Sequence, residues 1–269
     1  MLGAAEIRQL AQSLDLRPTK KLGQNFVIDP NTIRKIVSQA NLRQDDLVVE
    51  IGPGLGSLTL GILEVVDQVI AVEVDHRLAK LLPKTVEKYA PGKRLTVVQG
   101  DALKVTQLPG NPTALVANLP YNISVPVLIH FLETFPTIER VLVMVQAEVA
   151  ERLAAKPGGK EYGSPSAKLA WYGNARLAGA IGRNVFWPAP QVDSALVYFE
   201  RTRSERNSEV FAVIDAAFGM RRKTLRQALA KWAGTPQQAE EILVRAGVDP
   251  SARGEQLAID DFVRVASSR

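Results

Sequence analysis

The sequence predicts an α/β protein, in which helices cover both faces of a parallel sheet and a small all-helical domain follows. Short, almost wholly apolar segments alternate with helical patterns as far as residue 145, as is typical of buried parallel sheets. Beyond residue 208 only helical periodicity remains. We therefore expect one domain of residues 1–201, with residues 1–20 as an N-terminal extension, and a helical domain of residues 209–269 joined to it by a polar linker.

The N-terminal residues predict a short polar helix up to Leu16, followed by a loop from Thr19 to Phe26. Gly23 and two neighbouring amide side chains disfavour regular structure in that loop. A helix is expected from Asp29-Pro30-Asn31, because proline is tolerated in a first turn and apolar residues follow at helical spacing.

The remaining elements follow from hydrophobic periodicity. The pattern predicts parallel strands at residues 47–51, 69–74, 95–98, 114–117 and 140–145. It predicts helices between them at 57–66, 77–89 and 125–134. Two alternating segments, 175–185 and 194–201, are expected to form an antiparallel edge. The C-terminal domain is predicted to hold helices at 210–233, 236–246 and 259–266.

Composition excludes several classes of protein. The 269 residues are 46% hydrophobic and 23% charged, and none is cysteine, so disulfides and thiolate metal sites are excluded. His76 and His130 lie far apart in the chain, and we expect no metal. No apolar run reaches the roughly 18–20 residues that a transmembrane helix needs, and the N-terminus does not resemble a signal peptide. We expect a cytoplasmic, monomeric protein with no membrane partner.

Basic residues are concentrated near the C-terminus. The net charge is +5, and residues 219–231 hold five Lys/Arg and no Asp/Glu. Within the predicted helix 210–233, Arg222 and Arg226 are spaced i, i+4 and would share a face, with Lys223 beside them. Such a stripe favours phosphate contacts; a solvated helix face is the alternative.

A glycine-rich segment, EIGPGLG at residues 50–56, lies between a predicted strand and a helix, where a Rossmann-like sheet binds its nucleotide. Glycine allows the backbone to approach a ligand closely. Glu73 ends the next strand, 21 residues after Gly52. This spacing in the sequence is typical of a carboxylate that accepts hydrogen bonds from ribose hydroxyls. Asp101 follows the third strand, where it could accept the amino group of adenine.

Two cofactors fit these residues. A dinucleotide would place its pyrophosphate at the helix N-terminus, but the glycines here do not have the G-x-G-x-x-G spacing. Glu50 also suits a cofactor with a cationic amino-acid end better than one with a pyrophosphate. We therefore predict S-adenosylmethionine; a dinucleotide and a tight turn without ligand remain alternatives.

The tetrapeptide Asn118-Leu119-Pro120-Tyr121 follows the fourth strand, at the same sheet edge as the glycine loop. The amine of adenine is a poor nucleophile because its lone pair is delocalised. If the Asn118 amide oxygen and the Leu119 carbonyl accepted its two N–H groups, the nitrogen would become more tetrahedral and nucleophilic. Pro120 restricts Leu119 to extended conformations, and Tyr121 offers a stacking face. The alternative is an ordinary turn.

With these motifs in order, the chain resembles the ribosomal RNA adenine N6-dimethyltransferase family from about Lys20 to its C-terminus. The motifs are LGQNF (22–26), EIGPG (50–54), EVD (73–75), GDA (100–102), NLPYNIS (118–124), QAEV (146–149), FWPAPQVDS (186–194) and FGMRRKTL (218–225). The resemblance implies a Rossmann-like class I methyltransferase sheet. The bacterial small-subunit branch, which the chain resembles most, dimethylates two adjacent adenines in the 3′-terminal hairpin of 16S rRNA. The implied partner is 16S rRNA or an immature small ribosomal subunit.

The resemblance also implies roles for individual residues. Asn118, Leu119, Tyr121 and Phe186 would act on the target base, with Phe186 stacking opposite Tyr121. The residues implied in S-adenosylmethionine binding are Asn25, Val27, Gly52, Gly54, Glu73, Asp101, Ala102 and Asn118. In the helical domain, which resembles the family's RNA-contacting domain, the implied contacts are Arg221, Arg222, Lys223 and Arg226.

Three other functions remain open. The macrolide-resistance branch methylates 23S rRNA with the same chemistry. A non-catalytic RNA-binding assembly factor could keep the fold, although it would not need Asn118 and Tyr121. A nicotinamide-dependent oxidoreductase is disfavoured by the glycine spacing.

Overall fold

A computed structural model describes residues 1–16 and 24–269 of the protein. Its strands are β1 (Phe26–Val27), β2 (Leu47–Ile51), β3 (Gln68–Glu73), β4 (Arg94–Gln99), β5 (Ala114–Asn118), β6 (Arg140–Gln146), β7 (Gly173–Ile181), β8 (Phe186–Trp187) and β9 (Ser194–Arg201). Its helices are α1 (Ala4–Ser13), α2 (Pro30–Gln39), α3 (Ser57–Leu63), α4 (His76–Tyr89), α5 (Ser124–Thr134), α6 (Ala147–Ala154), α7 (Ser164–Tyr172), α8 (Ser208–Gly219), α9 (Leu225–Ala228), α10 (Ala230–Ala233), α11 (Pro236–Arg245) and α12 (Ile259–Ser267). The end of the predicted N-terminal extension and most of the loop predicted from Thr19 lie outside the described residues.

The chain forms two compact units. The first consists of residues 1–150 and 176–201, and the second of residues 151–175 and 202–269. We expected residues 151–175 in the first domain, and the structure places them in the second unit instead. The reason is apolar packing: the Tyr172 ring at the end of α7 meets Phe211 of α8 edge to face, with 5.8 Å between centroids. Tyr162 meets Phe218 in the same way at 5.9 Å.

A seven-stranded sheet organises the first unit, in the order β4-β3-β2-β5-β6-β9-β7. The strands from β4 to β6 run parallel, whereas β9 is antiparallel to β6. Every strand predicted for the parallel sheet is present. The two segments expected at the edge form β9 and β7, and β9 is antiparallel to β6 as expected. Along the chain, the sheet extends from β2 to β3 and β4 on one side, and then from β5 to β6 on the other. The point between these two strands is where such sheets bind ligands, at their carboxyl ends.

Local sequence explains where these elements begin. Helix α2 starts because the Asp29 carboxylate accepts hydrogen bonds from the Thr32 N–H at 2.8 Å and the Asn31 N–H at 3.3 Å, while Pro30 occupies the first turn. Residues 48–51 of β2 are all buried, as expected for a strand of a parallel sheet that is covered on both faces.

A buried ion pair joins the parallel strands at the end opposite the ligand edge. The Asp46 carboxylate lies 2.6 Å from Arg140 Nη2 and also accepts the Thr113 hydroxyl at 2.7 Å. Burial alone would raise the pKa of Asp46, but the Arg43 N–H, the Thr113 hydroxyl and the Arg140 charge together hold it below its ordinary value. This cluster therefore ties the start of β6 to the segments that precede β2 and β5.

The predicted single helix 210–233 is wrong. The structure contains α8, a turn at residues 220–224, and the short helices α9 and α10. The backbone N–H groups of Leu225 and Arg226 donate to the carbonyls of Ala252 and Pro250, at 2.7 and 3.1 Å, so the chain is held by another segment instead of continuing α8. Arg222 consequently lies in the turn and does not share a helix face with Arg226.

No helix in the described part of the chain is long and apolar enough to cross a membrane.

Candidate active site

A cavity of about 290 Å³ lies at the carboxyl ends of β2, β3 and β5. Its lining includes residues 24–27, residues 52–55 of the glycine loop, Glu73 and residues 100–103, together with Asn118 and Pro120. The sheet topology therefore brings together motifs that are almost 100 residues apart in the sequence.

The glycine loop is built for close approach. Gly52 and Gly54 have φ angles of 67° and 59°, a region that side chains disfavour. A Cβ atom on Gly54 would lie 2.8 Å from the Phe26 ring. A larger residue at position 54 would therefore strain the backbone and displace the aromatic wall of the cavity.

Two buried carboxylates face this loop. Glu73 accepts the Gly54 N–H at 3.1 Å through Oε2 and the Asp75 N–H at 2.9 Å through Oε1. Burial raises the pKa of Glu73, and these two N–H groups partly oppose the shift. Each carboxylate oxygen can accept more than one hydrogen bond, so Glu73 keeps acceptor capacity for a ligand hydroxyl.

Glu50 is more deeply enclosed than Glu73. Its Oε2 accepts the Thr59 hydroxyl at 2.6 Å. Burial raises the pKa of Glu50 to about 8. The Thr59 hydrogen bond opposes this shift, and the nearby Glu73 charge adds a smaller upward contribution. A cationic ligand group would favour its ionised form. Sequence reasoning had identified Glu50 but not Thr59, whose contact depends on the docking of α3.

The other predicted cofactor residues lie around the same cavity. Asp101 and Ala102 follow β4, and Asp101 Oδ1 accepts the Leu103 N–H at 3.0 Å. Asn25 and Val27 also line the cavity, and Val27 belongs to β1, which pairs with β8. All the residues predicted to bind the cofactor therefore line one cavity.

The end of β5 presents two hydrogen-bond acceptors. Asn118 Nδ2 donates to the Asn25 carbonyl at 3.0 Å, and this bond turns Oδ1 of the same amide away from that partner. The Leu119 N–H donates to the Met144 carbonyl at 3.1 Å, while nothing among the described residues donates to the Leu119 carbonyl. Asn118 Oδ1 and the Leu119 oxygen are thus the remaining acceptors.

Tyr121 is half-buried, and its hydroxyl is 2.8 Å from Ser194 Oγ. Ser194 is buried and begins β9 opposite Gln146, so the sheet register holds it. The sequence motifs assigned no role to Ser194, although it ends the motif at residues 186–194. Only the pairing of β9 with β6 reveals its contact with Tyr121.

Phe186, like the predicted site residues Leu119 and Tyr121, is not among the residues that line the cavity. It is 3% exposed, pairs with Val27, and packs in the same hydrophobic core as Phe26. Its predicted stacking on a base would require a face of the ring to be uncovered, and that role remains a prediction.

The four predicted RNA-contacting residues belong to the second unit and fall into two pairs. Arg226 Nε is 2.7 Å from Glu240, and Arg221 Nε is 3.5 Å from Glu255. Arg222 and Lys223 are exposed in the turn that follows α8.

A parallel sheet with this strand order, a glycine loop after its first strand and acids at its ligand edge define the Rossmann-like class I methyltransferases. Sequence comparison resolves the class further. A sequence model of the ribosomal RNA adenine dimethylase family matches residues 16–268. The chain belongs to this family, as its motifs predicted.

Individual relatives agree with this assignment. Proteins named ribosomal RNA small subunit methyltransferase A from Streptomyces coelicolor and Streptomyces avermitilis are 60% and 59% identical to the chain. Both matches cover 100% of the chain, and 97% and 94% of the relatives.

Solved structures show the same fold. A dimethyladenosine transferase from Plasmodium falciparum superposes with a TM-score of 0.75 at 25% identity, covering 88% of this chain and 94% of its own. The 23S rRNA methyltransferase ErmE gives a TM-score of 0.67 at 27% identity, covering 91% and 99%.

Proposed function

We propose that this protein uses S-adenosylmethionine to dimethylate the N6 amines of two adjacent adenines in the 3′-terminal hairpin of 16S rRNA, in a maturing small ribosomal subunit. The names of its relatives at about 60% identity support the small-subunit substrate over the 23S rRNA alternative. An RNA-binding factor without activity has less support, because the acceptors of the Asn118 motif are intact.

The observation that carries the proposal is the pair of acceptors at the end of β5. Asn118 Oδ1 and the Leu119 carbonyl can accept the two N–H groups of an adenine amine. Accepting both withdraws the nitrogen from conjugation with the ring, which makes its lone pair available. Because the Asn25 carbonyl already holds the amide nitrogen, Asn118 is oriented before the base arrives, and preorganised dipoles are the most effective kind.

The residues around the cavity fit the proposed cofactor. When bound, S-adenosylmethionine supplies an electrophilic methyl group on a sulfonium. Gly52 and Gly54 leave room for a ligand against the backbone, and Glu73 has acceptor capacity for ribose hydroxyls. Asp101 and Ala102 would hold the adenine, and Asn25 and Val27 would close over the ligand. Glu50 supplies the negative charge that a cationic amino-acid end requires.

The remaining residues position the target. The Tyr121 ring, held by Ser194, supplies a stacking face for an extruded base, and Phe186 would stack on the opposite face. In the second unit, basic residues after α8 would contact RNA phosphates. Since the donor is already activated, alignment and electrostatics supply most of the rate, and no strong base is needed.

Primer extension on RNA methylated in vitro tests the assignment. The protein and S-adenosylmethionine are incubated separately with free 16S rRNA, immature small subunits and large subunits, with cofactor-free reactions as controls. We expect cofactor-dependent stops at the paired adenines near the 3′ end of 16S rRNA in small-subunit material. Stops only in 23S rRNA would establish the alternative branch, and no stops in any substrate would contradict methylation.

A further inference from the structure

We propose that residues 183–194 form a closed support for the Tyr121 ring, in which Arg183 holds the two ends of the segment together and Ser194 holds the phenol hydroxyl. Arg183 and Ser194 are then positioning residues, which act on the target base only through Tyr121. The sequence motifs assigned a role to neither of them. The inference rests on the proposed function, because it takes the stacking of an extruded adenine on Tyr121 as its starting point.

Arg183 closes the segment by contacts with residues near its far end. The Arg183 backbone N–H donates to Asp193 Oδ1 at 3.1 Å, and the side-chain Nε lies 3.7 Å from the same oxygen. The side-chain Nη1 donates to the Gln191 carbonyl at 3.0 Å. The two side chains of the ion pair are 54% and 57% exposed, so the pair by itself contributes little to stability. Its effect is geometric, because one guanidinium fixes a carbonyl and a carboxylate at once.

The two ends of the segment are attached to different parts of the first unit. At the start, the Ile28 N–H donates to the Val185 carbonyl at 2.8 Å, and β8 pairs with β1, which lines the cofactor cavity. At the end, the Ala147 N–H donates to the Asp193 carbonyl at 3.0 Å, and β9 begins beside β6. The contacts of Arg183 therefore connect the wall of the cofactor cavity to the start of β9.

Ser194 joins this support to Tyr121. Its side chain is buried, its backbone is fixed opposite Gln146 in the sheet, and its Oγ lies 2.8 Å from the Tyr121 hydroxyl. The ring is thus held at one end by its own backbone and at the other by Ser194. Burial raises the pKa of Tyr121, the Ser194 bond opposes this shift, and the Asp193 charge adds to it. The phenol therefore stays neutral at physiological pH and keeps the bond to Ser194.

A ring that is already fixed should favour the reaction more than it favours binding. Immobilising a mobile side chain on binding costs free energy, and small misplacements of reacting groups slow a reaction steeply. If the ring could move, the stacked base would hold its N6 amine less often in the productive position. Loss of the support should therefore lower the rate of methyl transfer and leave the affinity for the cofactor nearly unchanged.

The first experiment is a double-mutant cycle between Ser194 and Tyr121, on the RNA that primer extension identifies as the substrate. Ser194→Ala and Tyr121→Phe remove the same hydrogen bond, so each should lower the single-turnover rate by about 3- to 10-fold. The double variant should be no slower than Tyr121→Phe, because the bond can be lost only once. Calorimetric affinity for S-adenosylhomocysteine should stay within about twofold of the wild type in all three variants.

Thr137→Val is the control for this cycle. It removes a hydroxyl bond of the same length, 2.8 Å to the Pro112 carbonyl, from a residue outside the cavity, and should keep the wild-type rate. Either of two results would overturn the role of Ser194: a wild-type rate in Ser194→Ala, or effects of the two single variants that multiply in the double variant.

The second experiment examines the support in the free protein, by hydrogen exchange of the amides in residues 189–193. In Arg183→Gln these amides should exchange about fivefold faster or more, because the contacts with Gln191 and Asp193 are lost. Arg34→Gln, an exposed arginine of α2, is the control and should leave their exchange unchanged. Arg183→Gln should also lower the single-turnover rate, but by less than Ser194→Ala, since the sheet still holds Ser194. Wild-type exchange in Arg183→Gln would overturn the closure.

The outcomes separate this inference from the proposed function. Methylated 16S rRNA together with wild-type rates in Ser194→Ala and wild-type exchange in Arg183→Gln would overturn the support alone. A wild type that methylates no RNA would reject the enzymatic assignment and the positioning role with it, whereas the exchange data would still decide whether Arg183 closes the segment.

Discussion

The two sides of the active-site cavity treat their polar groups differently. On the cofactor side, Glu73 is bonded to two backbone N–H groups and Glu50 to the Thr59 hydroxyl. On the proposed base side, one atom of the Asn118 amide is bonded to Asn25, while no residue that the structure describes donates to Oδ1 or to the Leu119 carbonyl. The carboxylates on the cofactor side therefore already have hydrogen-bond donors from the protein before a ligand binds. The two oxygens on the base side would receive their donors from the ligand.

This difference has a physical reason. Buried carboxylates are costly unless their oxygens are hydrogen-bonded, so the cofactor side must be satisfied before any ligand binds. A carbonyl or amide oxygen costs less to leave without a donor. The base side can therefore keep acceptors in reserve, and substitutions there should affect turnover, whereas substitutions on the cofactor side should affect binding.

The largest expected effect is that of Asn118→Ala on the base side. Removing one preorganised group that acts on the reacting nitrogen should lower kcat by about a thousandfold, while the affinity for S-adenosylmethionine stays within about tenfold. Single-turnover methylation and calorimetry measure the two quantities. Asn111→Ala, an exposed amide outside the cavity, is the control, and retained turnover in Asn118→Ala would eliminate its proposed role.

Glu73→Ala should have the converse effect. Loss of hydrogen bonds to a charged acceptor should weaken S-adenosylmethionine binding by about 10- to 100-fold, with turnover at saturating cofactor much less affected. Glu73→Gln keeps one acceptor oxygen, and its affinity for S-adenosylmethionine should lie between those of the wild type and Glu73→Ala. Glu87→Ala on the exposed face of α4 is the control. Unchanged calorimetric affinity in Glu73→Ala would contradict the ribose contact.

The smallest expected effect is the pH dependence that Glu50 gives to cofactor binding. With its pKa raised to about 8, Glu50 is largely protonated at neutral pH before binding, and a cationic ligand lowers that pKa. Binding then releases a proton, so affinity should increase as the pH rises towards about 8 and level off above it.

Comparison with Glu50→Gln separates the contribution of Glu50 to this pH dependence from the titration of the cofactor itself. The ratio of wild-type to variant affinity should increase by about three- to tenfold between pH 6.5 and 8.5. A ratio that stays constant across this range would show that Glu50 does not respond to the cationic end of the ligand, and the two sides of the cavity would then differ less than proposed.

The parts of the fold that could be predicted are those set by local patterns. Each parallel strand is a short apolar run closed by a polar residue, and this pattern alone located Glu73 and Asn118 at strand ends. The helix predicted over residues 210–233 was wrong: apolar residues recur at helical spacing on both sides of the turn at residues 220–224, but not within it. What breaks the helix is the pairing of Leu225 and Arg226 with Pro250 and Ala252, which no local pattern encodes.

By itself, the sequence determined the class of fold, the family, and the residues that surround the cavity, because hydrophobic periodicity and short motifs act over a few residues. Only the tertiary structure decided which atoms of those residues are already engaged. It bonded the Asn118 amide nitrogen to Asn25, placed Ser194 against Tyr121, buried Phe186, and bonded the Arg221 guanidinium to the Lys160 carbonyl. Each of these outcomes depends on segments far apart in the chain meeting through sheet register and packing, and such contacts exist only in the folded protein.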